Sequence, residues 1–356
     1  MRPRIGLALS GGGFRATAFG LGSLRALHDR GLLEQIAVVS GISGGSLLAA
    51  MWAYGPEQFE EFDESVVDLL RTGLQLELAR RAFAPMAVFQ ATTSAARSLI
   101  GHQPRKHSRT DALVSALAER SFGARSITET TRLDLETVIS STDLRTGNAV
   151  RFGSALSASS PYGTILDDVT VAEAVSASAA FPILLPALSR EYEFQRSNGT
   201  RHRERLVMTD GGVYDNLGLA PLLPGRNSRY SSHVYDLDYI IAIDAGRGRL
   251  ERKASRFIGG RVAQSFDITH TKSQDAARSR IHAVGASAEI KGFLHIYLGM
   301  RDDRLPLPVA DFVQRGRVQS YPTNFSQMPA ADLDSIAMRG EQLTRALIAA
   351  YTPDLS

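Results

Sequence analysis

The sequence predicts an α/β protein built on parallel strands, and three observations carry that expectation. Ile5–Leu9 is a short, continuous apolar run, the form taken by a strand buried on both faces. A glycine-rich loop, Gly11-Gly12-Gly13, follows it and opens a helix whose Phe19, Leu21, Leu24 and Leu27 recur at helical spacing as far as the stop at Gly31. A second apolar strand over 36–39 then completes a βαβ unit, which requires parallel strands, and runs through Gly41-Ile42-Ser43-Gly44-Gly45 into another helix-forming stretch.

That corner has the form of a nucleophile elbow. In a G-x-S-x-G turn the serine sits on a tight strand-to-helix bend, and small neighbours such as Gly41, Gly44 and Gly45 keep its hydroxyl accessible. The following helix directs its unpaired N–H groups and positive dipole end towards Ser43, which suits a developing negative charge. Glycine and serine are also ordinary turn residues, so the pattern gains weight only from what accompanies it. The neighbouring glycine loop can cradle a phosphate or form an oxyanion hole. The dinucleotide form G-x-G-x-x-G is not met, because Ala16 fills the third slot and no acidic residue closes the next strand; the G-K-[ST] of a Walker loop is absent. What remains is a set of amide donors at the end of one strand beside a serine at the end of its neighbour.

The rest of the chain extends this frame. Residues 51–82 read as amphipathic helix, with Phe59, Phe62, Val66, Leu69 and Leu70 on one face. Residues 84–109 are irregular and end in Arg105-Lys106-His107-Ser108-Arg109, a solvated loop or a cap over the site. A helix over 110–120, a strand over 133–142 and a turn at Arg145-Thr146-Gly147-Asn148 lead to a strand over 149–152. The small-residue helix over 171–180 ends at Phe181-Pro182 and is expected to pack against the elbow helix. A charged hairpin or loop over 190–205 precedes a strand over 206–209 that delivers Asp210-Gly211-Gly212, a carboxylate freed by two glycines at a strand end. A further strand over 239–244 presents a rival, Asp244. A polar helix over 256–280, a strand over 293–300 and a helix over 330–351 complete the chain.

Composition narrows the function. The 356 residues, 44% apolar, give room for one large α/β domain or two modest ones with a real core. No cysteine is present, which fits a reducing compartment and leaves only His and carboxylate for any metal. The net charge of +3 permits attraction to an anionic membrane surface, and no nucleic-acid partner is expected. The apolar stretch after Arg2 and Arg4 is too short for a secretory signal, and no run of about 18 apolar residues predicts a transmembrane helix. A cytoplasmic location is the expectation.

A serine hydroxyl needs a base, usually a histidine held by a carboxylate. None of the eight histidines, at 28, 102, 107, 202, 233, 270, 282 and 295, occupies a strand-end loop with the glycine support that Asp210 has, although any could fold into the site. A Ser-His-Asp triad therefore stays open at this point.

Four stretches, Ser10-Gly11-Gly12-Gly13-Phe14-Arg15, Gly41-Ile42-Ser43-Gly44-Gly45, Ala177-Ser178-Ala179-Ala180-Phe181-Pro182 and Asp210-Gly211-Gly212, resemble in this order the motifs of the patatin-like phospholipases. The first two also resemble the cytosolic phospholipase A2 group. The resemblance implies a three-layer α/β/α sandwich with a mostly parallel central sheet, in which 1–245 forms the motif-bearing core and 246–356 a C-terminal extension packed on it within a single domain. It also implies a lipid acyl hydrolase that uses neither metal nor organic cofactor and cleaves phospholipids or related lipid esters. Carried over motif by motif, Ser43 would be the nucleophile, Asp210 its base, Gly11, Gly12 and Gly13 the oxyanion donors, and Arg15 the support of that loop. Ile42 departs from the threonine or small residue of many members, and Tyr321-Pro322-Thr323-Asn324-Phe325 is similar to a segment of some bacterial members. The rival reading is a module of the same fold that holds a lipid or anion without turnover.

Overall fold

The chain is described by a computed structural model covering residues 3–75, 78, 108–182, 184–229, 231–248, 254–287 and 289–355. Its strands are β1 (Ile5–Leu9), β2 (Ile36–Gly41), β3 (Glu136–Asp143), β4 (Ala149–Gly153), β5 (Ala158–Ser159), β6 (Gly163–Ile165), β7 (Leu188–Gln195), β8 (Arg201–Asp210), β9 (Tyr239–Asp244) and β10 (Gly292–Tyr297). Its main helices are α1 (Gly13–His28), α2 (Gly44–Tyr54), α3 (Phe59–Thr72), α4 (Arg109–Leu117), α5 (Val171–Ser178), α6 (Gly212–Asp215), α7 (Ile258–Ala286), α8 (Arg315–Val318) and α9 (Ala330–Tyr351). The cap considered for 84–109 lies outside the described residues except at its end, where Ser108 caps α4 through a reciprocal bond with Asp111.

The strands pair in the order β10-β9-β1-β2-β3-β4-β5-β6-β7-β8, and β3 pairs again with β8. Only the first five of these strands run parallel to one another. From β3 to β8 every pairing is antiparallel, and the β3–β8 contact closes those six strands into a barrel. The expected mostly parallel sandwich is thus corrected to an α/β protein in which a parallel sheet is joined to a closed antiparallel barrel. The physical reason lies in the connections. Parallel strands need a long crossover, and β1 to β2 and β2 to β3 have helices to supply it; β3 to β4 and β7 to β8 are joined by short turns, which permit only antiparallel pairing.

The parallel half alternates its side chains between two apolar layers. Leu7, Leu9, Val39, Ile241 and Ile243 face α1, α2 and α9, whereas Ala8, Val38, Ile240 and Ala242 face Leu217, Leu222, Leu223 and Ile281 on the other side. Helix α9 lies along α1, and the approach is close because a side chain at Gly22 would collide with the backbone of Ala337. The barrel interior is filled by Phe152, Tyr192, Phe194, Leu206 and Met208.

One edge of β3 joins the two halves. Its first residues pair with β2 as far as Gly41 opposite Ile139, and its last residues pair with β8 from Asp210 opposite Ser141. Because β2 runs with β3 and β8 against it, their carboxyl ends point towards each other across Ser140. Residues 41–44 and 210–212, distant in sequence, are brought to one place by this change of partner.

Candidate active site

The turn after β2 holds Ser43 at φ 49° and ψ −119°, a conformation that L-residues adopt only under constraint, at a cost of about 1–3 kcal/mol. Three bonds retain it. The Ser43 amide donates to the Ser178 hydroxyl at 2.9 Å, while the Ser43 carbonyl accepts from the Ser46 hydroxyl at 2.7 Å and from the Leu47 amide at 3.1 Å. Helix α2 starts at Gly44, and a side chain there would lie 2.0 Å from the carbonyl oxygen of Gly13. The starts of α1 and α2 therefore sit backbone to backbone, and both positive dipole ends face the same space.

The glycine loop after β1 is pinned from two sides. The Gly11 amide donates to the carbonyl of Asn216 at 2.9 Å, and the Phe14 amide to that of Asn324 at 2.9 Å. No hydrogen bond from the amides of Gly12 or Gly13 is found among the described residues. Gly13 has φ 58°, and a Cβ there would meet the Asn324 backbone at 2.5 Å, so glycine is required on two counts. Arg15 is buried beneath the loop. Its guanidinium donates to the carbonyls of Ala245 (3.1 Å) and Tyr321 (2.8 Å) and to the Thr323 hydroxyl (2.9 Å). Burial, reinforced by the charge of Arg247 and partly opposed by Asp244, lowers its pKa to about 9.

Asp210 ends β8 with its carboxylate buried. It accepts a hydrogen bond from the Gly212 amide at 2.7 Å, and the Ser43 side chain lies close enough to favour its charged form. Burial pushes its pKa up to about 6, against the lowering effect of those two groups. The small-residue helix α5 braces both partners, because Ser178 also accepts the Gly211 amide through its carbonyl and Ala180 accepts that of Asp210. Asp244, the rival at the end of β9, lies elsewhere in the network. Its carboxylate is taken by Arg278 (2.7 and 3.2 Å) and His295 (3.0 Å). Burial alone would raise the Asp244 pKa, but the His295 hydrogen bond and the Arg278 charge hold it well below the usual carboxylate range.

Ser43, Asp210, Gly11, Gly12, Gly13 and Arg15 all line one cavity of about 760 Å³. Phe181, Leu184, Ile268 and Phe325 contribute apolar wall, and α7 forms much of the rim. His270, on α7, also lines the cavity, near the backbone of Gly212. His233 and His295 bond Leu156 and Asp244, and His28 stacks on Phe59. His102 and His107 lie outside the described residues.

Sequence reasoning did not find Ser178, Asn216 or Asn324 as supports of the site. Asn216 stands six residues after Asp210, next to a noticed motif. The segment containing Tyr321, Thr323 and Asn324 carries no chemical signature in the sequence, because two of its three contacts are made by backbone carbonyls that no side-chain pattern announces.

The sequence profile of a family described as Patatin, patatin-like phospholipase, matches residues 7–223, more than half of the chain. The chain belongs to the patatin-like phospholipase family. Shorter stretches, of 44 and 81 residues, are also shared with two fungal proteins. SPO1 of Saccharomyces cerevisiae is 46% identical over 44 residues, 12% of this chain and 7% of the yeast protein. A lysophospholipase of Penicillium chrysogenum is 37% identical over 81 residues, 20% of this chain and 12% of the fungal one. Among solved structures, human GIVD cytosolic phospholipase A2 superposes with a TM-score of 0.57 at 14% identity, covering 97% of this patatin-like chain and 59% of the human one. At that identity the likeness is one of fold. The chain spans less than two thirds of each of these proteins.

Proposed function

We propose that this chain is a serine lipid acyl hydrolase in which Ser43 and Asp210 act as a dyad. The observation that carries the reading is that the Ser43 turn and the Asp210 carboxylate, distant in sequence, line one cavity close enough for the Ser43 side chain to lower the Asp210 pKa. Ser43 would attack the ester carbonyl as Asp210 takes its proton, and the same proton would then pass to the departing alcohol. Water, losing its proton to Asp210, would attack the acyl-serine and release the fatty acid, and Asp210 would return that proton to the departing Ser43 oxygen. The amides of Gly12 and Gly13 and the starts of α1 and α2 would receive the negative charge that forms on the carbonyl oxygen. With its own amide bonded to Asn216, Gly11 would serve to position the loop, and Arg15 would hold the loop from beneath. The apolar wall and the cavity volume, within the range of about 300–1,000 Å³ for small-molecule sites, suit an acyl chain. An aspartate with a pKa near 6 is ionised at neutral pH and still basic enough to accept a proton in the transition state.

The test is hydrolysis of a phospholipid panel by the purified chain, read as released fatty acid, together with labelling by a fluorophosphonate. Ser43→Ala should abolish both. Hydrolysis or labelling that survives this substitution would overturn the assignment of Ser43. A histidine triad through His270 predicts instead that His270→Gln is as damaging as Asp210→Asn; the dyad predicts that it is not.

A further inference from the structure

The cavity opens beside a surface that water does not favour. Among the described residues six large apolar side chains are more than 60% exposed, and four of them, Phe257 (70%), Ile258 (72%), Val262 (65%) and Ile268 (62%), fall within the start of α7. At 3.6 residues per turn, Ile258, Val262, Ser265, Ile268 and Thr269 share one face about 120° wide with Arg261, and all are exposed. Isolated exposed apolar residues are common, but a concentrated strip marks an interaction surface. Ile268 belongs to both features, since it lines the cavity and ends the strip.

Charge identifies the partner. Arg261 is exposed on the same face as the strip and Arg256 just before the helix, and no Asp or Glu occurs between positions 254 and 266. The first turn of α7, where acidic residues are usually favourable, has none. Exposed apolar side chains with arginine among and before them, on a helix anchored further along through Ile281, match the layering of an anionic bilayer, with phosphates outside and acyl chains beneath.

We propose that Phe257, Ile258, Val262 and Arg261, with Arg256, form a docking surface for anionic phospholipid bilayers that sets the mouth of the cavity against the lipid layer. This rests on the lipid-ester reading of the site. A lipid would then pass from the layer along Ile268 towards Ser43 without its acyl chain crossing water.

The experiment uses the full chain carrying Ser43→Ala, so that binding is read without turnover. Partition is measured by co-flotation with vesicles of phosphatidylcholine alone and of phosphatidylcholine mixed with phosphatidylserine. Binding should favour the anionic vesicles and weaken with salt. It should fall at least about tenfold with Phe257→Ser/Ile258→Ser/Val262→Ser and, separately, with Arg256→Glu/Arg261→Glu. With Ser43 restored, the triple variant should keep its rate on a short-chain soluble ester and lose at least about tenfold on vesicle phospholipid. Equal binding by parent and both variants, or no binding by the parent, would overturn the proposal. Self-association relieved by the triple variant in the absence of vesicle binding would overturn it in favour of contact with a second copy. A parent chain that binds vesicles through this surface yet hydrolyses no ester would keep the docking surface and refute the enzymatic reading.

Discussion

Asp210 and Asp244 occupy matching positions at the ends of two strands. Each is buried, and each accepts a bond from the amide two residues on, from Gly212 at 2.7 Å and from Gly246 at 2.8 Å. Their remaining partners differ. Asp244 faces a guanidinium and an imidazole, and Asp210 a neutral hydroxyl. Burial works against the charge of both, but only Asp244 has a guanidinium and an imidazole donor to offset it, so one pKa rises to about 6 and the other falls. The same local frame therefore leaves a carboxylate without a cation at one strand end, the proposed proton acceptor, and builds an ion pair at the other. Strand-end position and glycine support do not decide which; the tertiary partner does.

Exchanging each carboxylate for its amide is the sharpest way to break this comparison. Asp210→Asn should lower kcat/KM for ester hydrolysis by about 10⁴-fold while the chain stays folded, because the amide keeps shape but cannot take the Ser43 proton. Asp244→Asn should act on stability instead. It leaves Arg278 and His295 against a neutral group, at a cost of about 3 kcal/mol in urea unfolding. The low end of the usual range applies because Arg278 keeps Asp275 at 2.9 Å. Hydrolysis per folded molecule should remain within about tenfold of the parent. Loss of chemistry in Asp244→Asn with a sound fold would reverse the assignment of the two residues.

Titration sharpens the contrast further. With a folded pKa near 6 against 3.8 for the free group, Asp210 binds its proton more tightly in the native state. Its ionised form thus lowers stability above about pH 6, and that penalty shrinks as the pH falls towards 4. Asp210→Asn should therefore be more stable than the parent at pH 8 by about 1–3 kcal/mol, with the gain gone near pH 4. Activity of the parent should drop about tenfold per pH unit below 6. Asp244 has the opposite sign: its lowered pKa adds stability above the free value of 3.8 and withdraws it as acid protonates the carboxylate. An activity profile flat from pH 7 to 4.5 would remove Asp210 as the base.

The two halves of the fold were unequally legible in the sequence. Continuous apolar strands and the helix between Gly13 and His28 announce the parallel half, because burial on both faces leaves an uninterrupted pattern. In the barrel half, β5 and β6 have two and three residues, too few to show any period. Closure depends on β3 exchanging β2 for β8 along one edge, which is a property of pairing and not of either segment alone. The site divides in the same way. Ser43 and Asp210 stand out through their glycines, whereas the choice between Asp210 and Asp244 requires knowing that Arg278 and His295, from α7 and β10, converge on the second.

The smallest effect tests how far the glycine loop depends on the C-terminal segment. Arg15 reaches three acceptors, and Thr323 supplies the only one from a side chain. Thr323→Ala removes that bond and leaves the two carbonyl contacts, so the guanidinium stays in place with one fewer partner. The expected loss is about 1 kcal/mol of stability and less than about tenfold in kcat, because the loop keeps two of the three bonds beneath it. Arg15→Lys should cost more on both counts, since an ammonium cannot reach three acceptors set at the spacing of a planar fork. If Thr323→Ala instead matched Arg15→Lys, the hydroxyl would be orienting the guanidinium and not merely adding to its bonds. The support of the loop would then depend on residue 323 as strongly as on the arginine itself.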